Sequence, residues 1–166
     1  MGLVNNFFAI IMSLSLYPYQ LETINQLRAG FKNHKRQLMV IPTGGGKTVC
    51  FSTIVCSAVQ KGTRTLVLTD RIELFKQTVE SIESFNIPIC KISGDHKNIH
   101  SDALMFIGMV ETVKRRATIL KDIIFDLIIC DEAHVASFNR IFDTWPDAMV
   151  IGATATPLGK HIYKYY

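Results

Sequence analysis

Short apolar runs recur along the chain at intervals that suit a repeating unit of strand and helix. They have the length of β-strands and cover residues 37–41, 65–69, 103–107, 127–130 and 148–151. Longer segments with helix-compatible patterns separate them, at 19–33, 47–60, 71–85, just after Glu111 and just after Glu132. This alternation predicts one α/β domain.

Some of the predicted strands are apolar on both faces. Residues 127–130 read Leu-Ile-Ile-Cys, without a polar position. Burial of both faces is typical of a mostly parallel sheet that helices cover on both sides. Ligands bind such sheets beyond the carboxyl ends of the strands, so the loops after the strands are where chemistry is expected.

Length and composition fit one globular domain. The chain has 166 residues, 48% of them hydrophobic, and a net charge of +4 that permits an anionic partner. We expect a partly ordered extension over residues 1–15, the domain over 16–160 and a short C-terminal end over 161–166. The longest apolar run, residues 7–12, is too short to span a membrane, and the four cysteines form no C-x-x-C pair. We therefore expect an intracellular protein, cytoplasmic or associated with the nucleoid or nucleus, without a membrane partner.

A glycine-rich segment joins the first predicted strand to the following helix. Successive glycines let the backbone turn tightly and direct several N–H groups at one point, to which the helix adds its positive end. This pattern is typical of a phosphate-binding loop for ATP, with Thr43, Gly44, Gly45, Gly46, Lys47 and Thr48 as the binding residues.

Two side chains of this loop have predicted roles. Lys47 is predicted to reach the β- and γ-phosphates, and the Thr48 hydroxyl to bind Mg²⁺. The usual motif has glycine where this chain has Ile41, so the loop departs from it at its first position. A glycine-rich turn that binds nothing is the alternative.

An acidic pair follows the strand over residues 127–130. We predict that Asp131 binds Mg²⁺, directly or through water, and that Glu132 accepts a proton from the attacking water as general base. Alone, such a pair would be interpreted as the start of a helix. The phosphate-loop pattern upstream favours the catalytic interpretation, with Lys47 as its third member.

The motifs occur in a fixed order: 42–48, then Asp-Glu-Ala-His at 131–134, then Gly-Ala-Thr-Ala-Thr-Pro at 152–157. In this order they resemble the first RecA-like domain of superfamily 2 helicases and translocases, the DEAD/DEAH-box-related group. The likeness extends from residue 16 to about residue 158. It implies a RecA-like P-loop NTPase fold, an ATP hydrolase activity that uses ATP and Mg²⁺, and a coupling of ATP state to nucleic-acid grip by His134, Thr154 and Thr156.

Three further segments are similar to elements of that family. Leu-Tyr-Pro-Tyr-Gln at 16–20 is similar to the element whose glutamine reads adenine, which implies that role for Gln20. The segments 66–77 and 107–112 resemble those that touch the nucleic-acid backbone, which implies contacts from Arg71 and Thr112. The basic run 114–116 is either a solvated helix end or a phosphate contact. The three main motifs look nearer to DNA translocases than to RNA helicases, so DNA is the favoured partner.

The family's motor uses a second RecA-like domain, which supplies an arginine finger. No arginine follows Arg140, so the resemblance implies that this second domain is absent here and acts in cis from a longer protein or in trans from another chain. We therefore expect the ATP-binding motor domain of an ATP-dependent DNA helicase or translocase, with low turnover by itself. The alternatives are a restriction-enzyme-type translocase subunit, an RNA helicase, a phosphate-loop kinase or metabolic ATPase, and a nucleotide-sensing binding module without turnover.

Overall fold

Strands and helices alternate along the chain. The computed structural model describes residues 16–134, 138–157 and 166. The strands are β1 (Arg36–Val40), β2 (Thr65–Thr69), β3 (Ile89–Ile92), β4 (Met105–Met109), β5 (Leu127–Asp131) and β6 (Met149–Thr154). The helices are α1 (Pro18–Gly30), α2 (Lys47–Gln60), α3 (Ile72–Glu83), α4 (Val110–Arg115), α5 (Ala117–Leu120) and α6 (Asn139–Thr144). The predicted extension over 1–15 lies outside the described residues, as do residues 158–165.

The six strands form one sheet in the order β1-β6-β5-β2-β4-β3, and all of its pairs are parallel. The prediction of a parallel α/β sheet is confirmed. Its register places three motifs side by side, because Val40 before the glycine-rich loop pairs with Thr154, and Asp131 pairs with Ala153. The carboxyl ends of β1, β5 and β6 thus meet at one site.

Each face of the sheet has its own apolar core. Alternate strand residues point to opposite faces, so Val67, Ile107, Ile129 and Ile151 join one cluster, while Leu66, Phe106, Ile128 and Val150 join the other. Helices α1, α2 and α3 cover the first cluster with Ile24, Phe51 and Phe75, among others. The second is covered by the chain around α4, α5 and α6, with Val113, Leu120 and Phe142.

The structure corrects the predicted elements at several points. Strand β3 was not predicted, because it is a four-residue edge strand in which buried and half-buried positions alternate directly after Pro88. Strand β4 lies two residues later than the run at 103–107, and α1 ends at Gly30 rather than at residue 33. The predicted bounds of α2 and β2 are confirmed.

Two further sequence expectations concern cysteines and membrane spans. Cys50, Cys56, Cys90 and Cys130, which form no C-x-x-C pair in the sequence, are all buried and free. Among residues 16–134, 138–157 and 166, no helix combines the length and the apolar character that crossing a membrane requires.

Candidate functional site

The glycine-rich loop turns sharply before α2. The Gly45 N–H donates to the Pro42 carbonyl over 2.9 Å, and Gly46 has a φ of 77°, in the left-handed region that favours glycine. Helix α2 begins directly afterwards at Lys47, so its unpaired N–H groups and positive end face the loop. The predicted phosphate-loop segment therefore has the local geometry of an anion-binding turn at a helix N-terminus.

Two side chains of α1 hold this loop from one side. The Tyr19 hydroxyl and the Gln20 amide both donate to the Gly45 carbonyl, over 2.8 Å and 3.0 Å. The Gln20 side chain also accepts from the Tyr17 N–H over 2.9 Å, and the residue is only 4% exposed. A Cβ atom at Gly46 would lie 2.3 Å from the Gln20 amide nitrogen, so this packing requires glycine there. In this structure Gln20 joins the start of α1 to the loop.

The Lys47 ammonium is the centre of a charged cluster. It forms an ion pair with Asp131 Oδ1 at 3.1 Å and a close one with Glu132 Oε1. The three side chains come from two loops 84 positions apart, which the β1–β6–β5 register brings together. The structure thus assembles the three residues that the sequence predicted to be catalytic, although nothing in it tests their roles.

Burial and charge shift two pKa values in this cluster. Burial lowers the pKa of Lys47, but the hydrogen bond to Glu132 and the charge of Asp131 outweigh it, so that pKa lies above its ordinary value. Burial raises the pKa of Asp131 above its ordinary value, although Lys47 acts in the opposite direction. One ammonium serves two carboxylates here, so the cluster carries an excess negative charge.

The turn after β5 is built to present these carboxylates. Glu132 has a φ of 54°, which is uncommon for a residue with a side chain and is concentrated at functional sites. Its N–H donates to Asp131 Oδ1 over 3.0 Å, and the Ala133 N–H donates to the Ala153 carbonyl over 2.8 Å. A Cβ atom at Gly152 would lie 2.8 Å from Ala133 Cβ, so glycine permits this turn to approach β6.

A line of polar contacts continues from the carboxylates to the third motif. His134 Nδ1 lies 3.4 Å from Glu132 Oε2 and 3.2 Å from the Thr154 hydroxyl. The Thr154 hydroxyl also accepts from the Thr156 N–H over 3.2 Å. The side chains of Lys47, Glu132, His134 and Thr154 are therefore joined in sequence, and the chain of contacts ends at the Thr156 backbone.

The two residues predicted to touch nucleic acid lie in different environments. The Arg71 side chain is 73% exposed, next to Asp70 just beyond β2. Thr112 is only 5% exposed, within α4. The Arg115 guanidinium donates to the Thr112 hydroxyl over 3.4 Å. Arg115 is exposed, so it is the residue of this pair that solvent can reach.

The basic run over residues 114–116 divides into three roles. Lys114 forms a 2.9 Å ion pair with Glu111 on α4. Arg115 is exposed, whereas the Arg116 guanidinium donates to two backbone carbonyls of the loop after β3, those of Ser93 and His96. The sequence alone does not predict these different roles, because the role of Arg116 depends on contacts with residues 20 and 23 positions away along the chain.

The family described as type III restriction enzyme, res subunit, matches residues 13–159. The chain belongs to this family. The match covers the glycine-rich loop, the acidic turn and the third motif, which lie together in the structure. The chain is also similar to the 51.5 kDa protein of a Lactococcus phage (isolate 7-9), with 32% identity over 119 residues. It matches 70% of this chain but only 23% of the phage protein's length.

Solved structures of similar shape confirm the predicted RecA-like fold. The UvsW helicase of bacteriophage T4 matches with a TM-score of 0.74 at 19% identity, covering 92% of this chain and 57% of that one. The Hef helicase domain of Pyrococcus furiosus matches with a TM-score of 0.69 at 24% identity, covering 89% and 35%. A nuclease-deletion mutant of the restriction-modification enzyme LlaGI, in complex with a DNA substrate mimic, matches at 0.69 and 22%, covering 86% and 18%. This family member therefore spans only part of each of these chains.

Proposed function

We propose that this chain is the ATP-binding motor domain of an ATP-dependent DNA translocase or helicase. The observation that carries the proposal is the position of Lys47, at the start of α2 and between the carboxylates of Asp131 and Glu132. A cation at a helix N-terminus, beside two carboxylates, combines a phosphate site with a place for a divalent metal. Family membership and the RecA-like fold support the same activity.

The residues present fit Mg²⁺-ATP. The Thr48 hydroxyl and the Asp131 carboxylate are oxygen ligands of the kind that Mg²⁺ takes. The backbone of residues 43–46 and the Lys47 ammonium would hold the phosphates. Bound Mg²⁺ would supply charge neutralisation for the transferred phosphoryl group. Lys47 must then exchange its carboxylate partners for phosphate oxygens.

Glu132 is the proposed general base. Its Oε1 contacts Lys47 and its Oε2 lies near His134, so the carboxylate is held at both oxygens. Once Lys47 turns to the phosphates, Oε1 is free to accept a proton from the attacking water. The link through His134 to Thr154 would carry the change toward the nucleic-acid side of the domain.

Adenine reading by Gln20 belongs to the same proposal. The Gln20 amide nitrogen has two N–H groups, of which one donates to the Gly45 carbonyl. The amide nitrogen also lies 3.5 Å from the Tyr19 hydroxyl, so an adenine edge would replace that long contact and use the second lone pair of the amide oxygen. Since the same side chain holds the loop, base binding would be transmitted to the phosphate site.

DNA is the proposed partner because a structural relative, LlaGI, is described in complex with a DNA substrate mimic. The exposed guanidinium groups of Arg71 and Arg115 suit contacts to backbone phosphates. A second RecA-like domain is proposed to complete the motor, with an arginine finger worth about 10³ to 10⁵ in rate. The expected setting is the cell interior, where such a motor meets DNA.

Calorimetric titration tests the proposal. The side chains of Lys47, Asp131 and Glu132 sum to one negative charge, so anionic ATP should bind well only with Mg²⁺. We expect saturable ATP binding with Mg²⁺ and at least tenfold weaker binding in its absence. No binding of Mg²⁺-ATP by the folded protein would overturn the assignment. Equal binding in both conditions would remove Asp131 and Thr48 as metal ligands.

A further inference from the structure

The connection between β3 and β4 is a long segment outside the sheet. Residues 93–104 form no helix or strand, and they follow β3, the edge strand of the sheet. In this part of the structure Gly94, Asp95, His96 and Lys97 are exposed. Backbone groups of such a segment need partners from elsewhere to keep one conformation.

Arg116 supplies those partners. Its Nη1 donates to the His96 carbonyl over 2.6 Å and its Nη2 to the Ser93 carbonyl over 3.1 Å. The Arg116 N–H in turn donates to the carbonyls of Thr112 and Val113 at the end of α4. One planar, half-buried guanidinium therefore ties the turn at 93–96 to the junction between α4 and α5.

The same turn is supported internally and from α3. The Ser93 hydroxyl and His96 Nδ1 share a 2.7 Å hydrogen bond. The His96 ring packs against Phe75 of α3, with ring centroids 6.2 Å apart. The turn at 93–96 thus has contacts on two sides, and Arg116 provides the ones that reach its backbone.

Lys97 follows this turn directly. It is exposed, and among the described residues no hydrogen bond or ion pair engages its ammonium. Together with Arg116 and Ile119 it lines a shallow hollow at the side of the domain. Arg71 after β2 and Arg115 on α4 after β4 lie beyond the carboxyl ends of neighbouring strands, on the same edge of the sheet.

We propose that Arg116 is a positioning residue that fixes the turn at 93–96 and thereby presents Lys97 to a nucleic-acid phosphate. We assign the guanidinium to the turn because both of its terminal nitrogens donate to carbonyls there, and we assign the phosphate contact to Lys97. The role of Lys97 rests on the proposed DNA-binding function, whereas the clamp by Arg116 does not.

Limited proteolysis tests the clamp without DNA. Endoproteinase Lys-C cuts after lysine, so cleavage after Lys97 reports the mobility of the segment, and cleavage after exposed Lys61 in the same digest reports general loosening. We expect Arg116→Ala and Arg116→Lys to speed cleavage at Lys97 at least tenfold relative to Lys61, since lysine cannot form the paired contact. The control Arg115→Ala should leave the ratio unchanged. An unchanged ratio in both Arg116 variants would overturn the clamp.

Binding to a fluorescein-labelled 20-base-pair duplex at several salt concentrations tests Lys97. We expect Lys97→Ala to weaken binding several-fold and to reduce the salt slope by about 0.9. Arg116→Lys, which keeps the charge at position 116, should weaken binding and reduce the slope to a similar extent, because Lys97 is then no longer held at the phosphate. Full affinity in Arg116→Lys with lost affinity in Arg116→Ala would instead make Arg116 a direct contact. A wild-type protein that binds no duplex would overturn the proposed function and the role of Lys97, while proteolysis still decides the clamp.

Discussion

The edge of the sheet that carries the motifs has two ends, and they differ in whether their charged groups contact one another or face solvent. Beyond β1, β5 and β6 the polar groups contact one another, and we call this set the nucleotide site: Lys47, Asp131, Glu132, His134 and Thr154. Beyond β2, β3 and β4 the cationic groups face solvent, and we call this set the cationic surface: Arg71, Lys97 and Arg115.

The difference follows from what each region would bind. Phosphoryl transfer depends on groups held in one geometry, and the nucleotide site obtains this from mutual contacts and burial. Contacts to a polymer backbone need cations that remain available, and the cations of the cationic surface are exposed to solvent. Its order comes from residues behind it, such as Arg116 and buried Thr112. We therefore expect single substitutions to have large effects in the nucleotide site and small effects on the cationic surface.

The largest effect should come from removing the proposed base. Glu132→Gln keeps the size of the side chain but removes its basic oxygen. With a second RecA-like domain supplied, we expect ATP hydrolysis at least about 100-fold slower, because a positioned base contributes about 10² to 10⁴ in rate. Binding of Mg²⁺-ATP should persist in calorimetry. Glu80→Gln, an exposed carboxylate on α3, is the matched control. Near-normal turnover in Glu132→Gln would assign the base to another carboxylate.

A smaller effect is expected on stability, where two glycine substitutions distinguish backbone strain from loss of the contact between α1 and the glycine-rich loop. Gly46→Ala and Gly62→Ala both place a side chain at a φ of 77°, at a cost of about 1–2 kcal/mol. Only at Gly46 does the new Cβ displace Gln20, which costs about 1 kcal/mol more for the lost hydrogen bond. Urea unfolding should therefore show a lower free energy of unfolding for Gly46→Ala than for Gly62→Ala. Equal values would mean that the Gln20 contact contributes nothing.

The smallest effect should appear on the cationic surface. Arg71→Ala should weaken duplex DNA binding several-fold and reduce the salt slope by about 0.9, as expected for one lost phosphate contact. Lys61→Ala, an exposed cation at the far end of α2, is the control and should change neither quantity. The measurement is fluorescence anisotropy across a salt series. Identical slopes for wild type and Arg71→Ala would mean that Arg71 does not contact a DNA phosphate.

Much of the nucleotide site was predictable because its residues lie in short, ordered motifs. The loop over 42–48 and the turn at 131–134 carry distinctive residue types, and parallel topology brings the loops after the strands to one edge. The bounds of α2 were predictable as well, since the glycines mark its start. The roles assigned to these residues remain predictions.

The remaining features depend on distant contacts. Strand β3 is too short and too mixed in burial to stand out, although Lys91 within it pairs with Glu83 of α3. The burial of Thr112 and the carbonyl contacts of Arg116 arise from packing between elements. The positive φ of Glu132 has no local signature either, because glutamate rarely adopts it.

The assignment of Lys47 to the phosphate site is tested most directly by the affinity of the protein for nucleotide. We predict that Lys47→Ala weakens Mg²⁺-ATP binding about 10- to 100-fold in calorimetry, since it removes a charge-assisted contact worth roughly 1.5–3 kcal/mol. Lys61→Ala should bind as the wild type does, and circular dichroism should show that both variants are folded. Unchanged affinity in folded Lys47→Ala would contradict the assignment of this site to ATP.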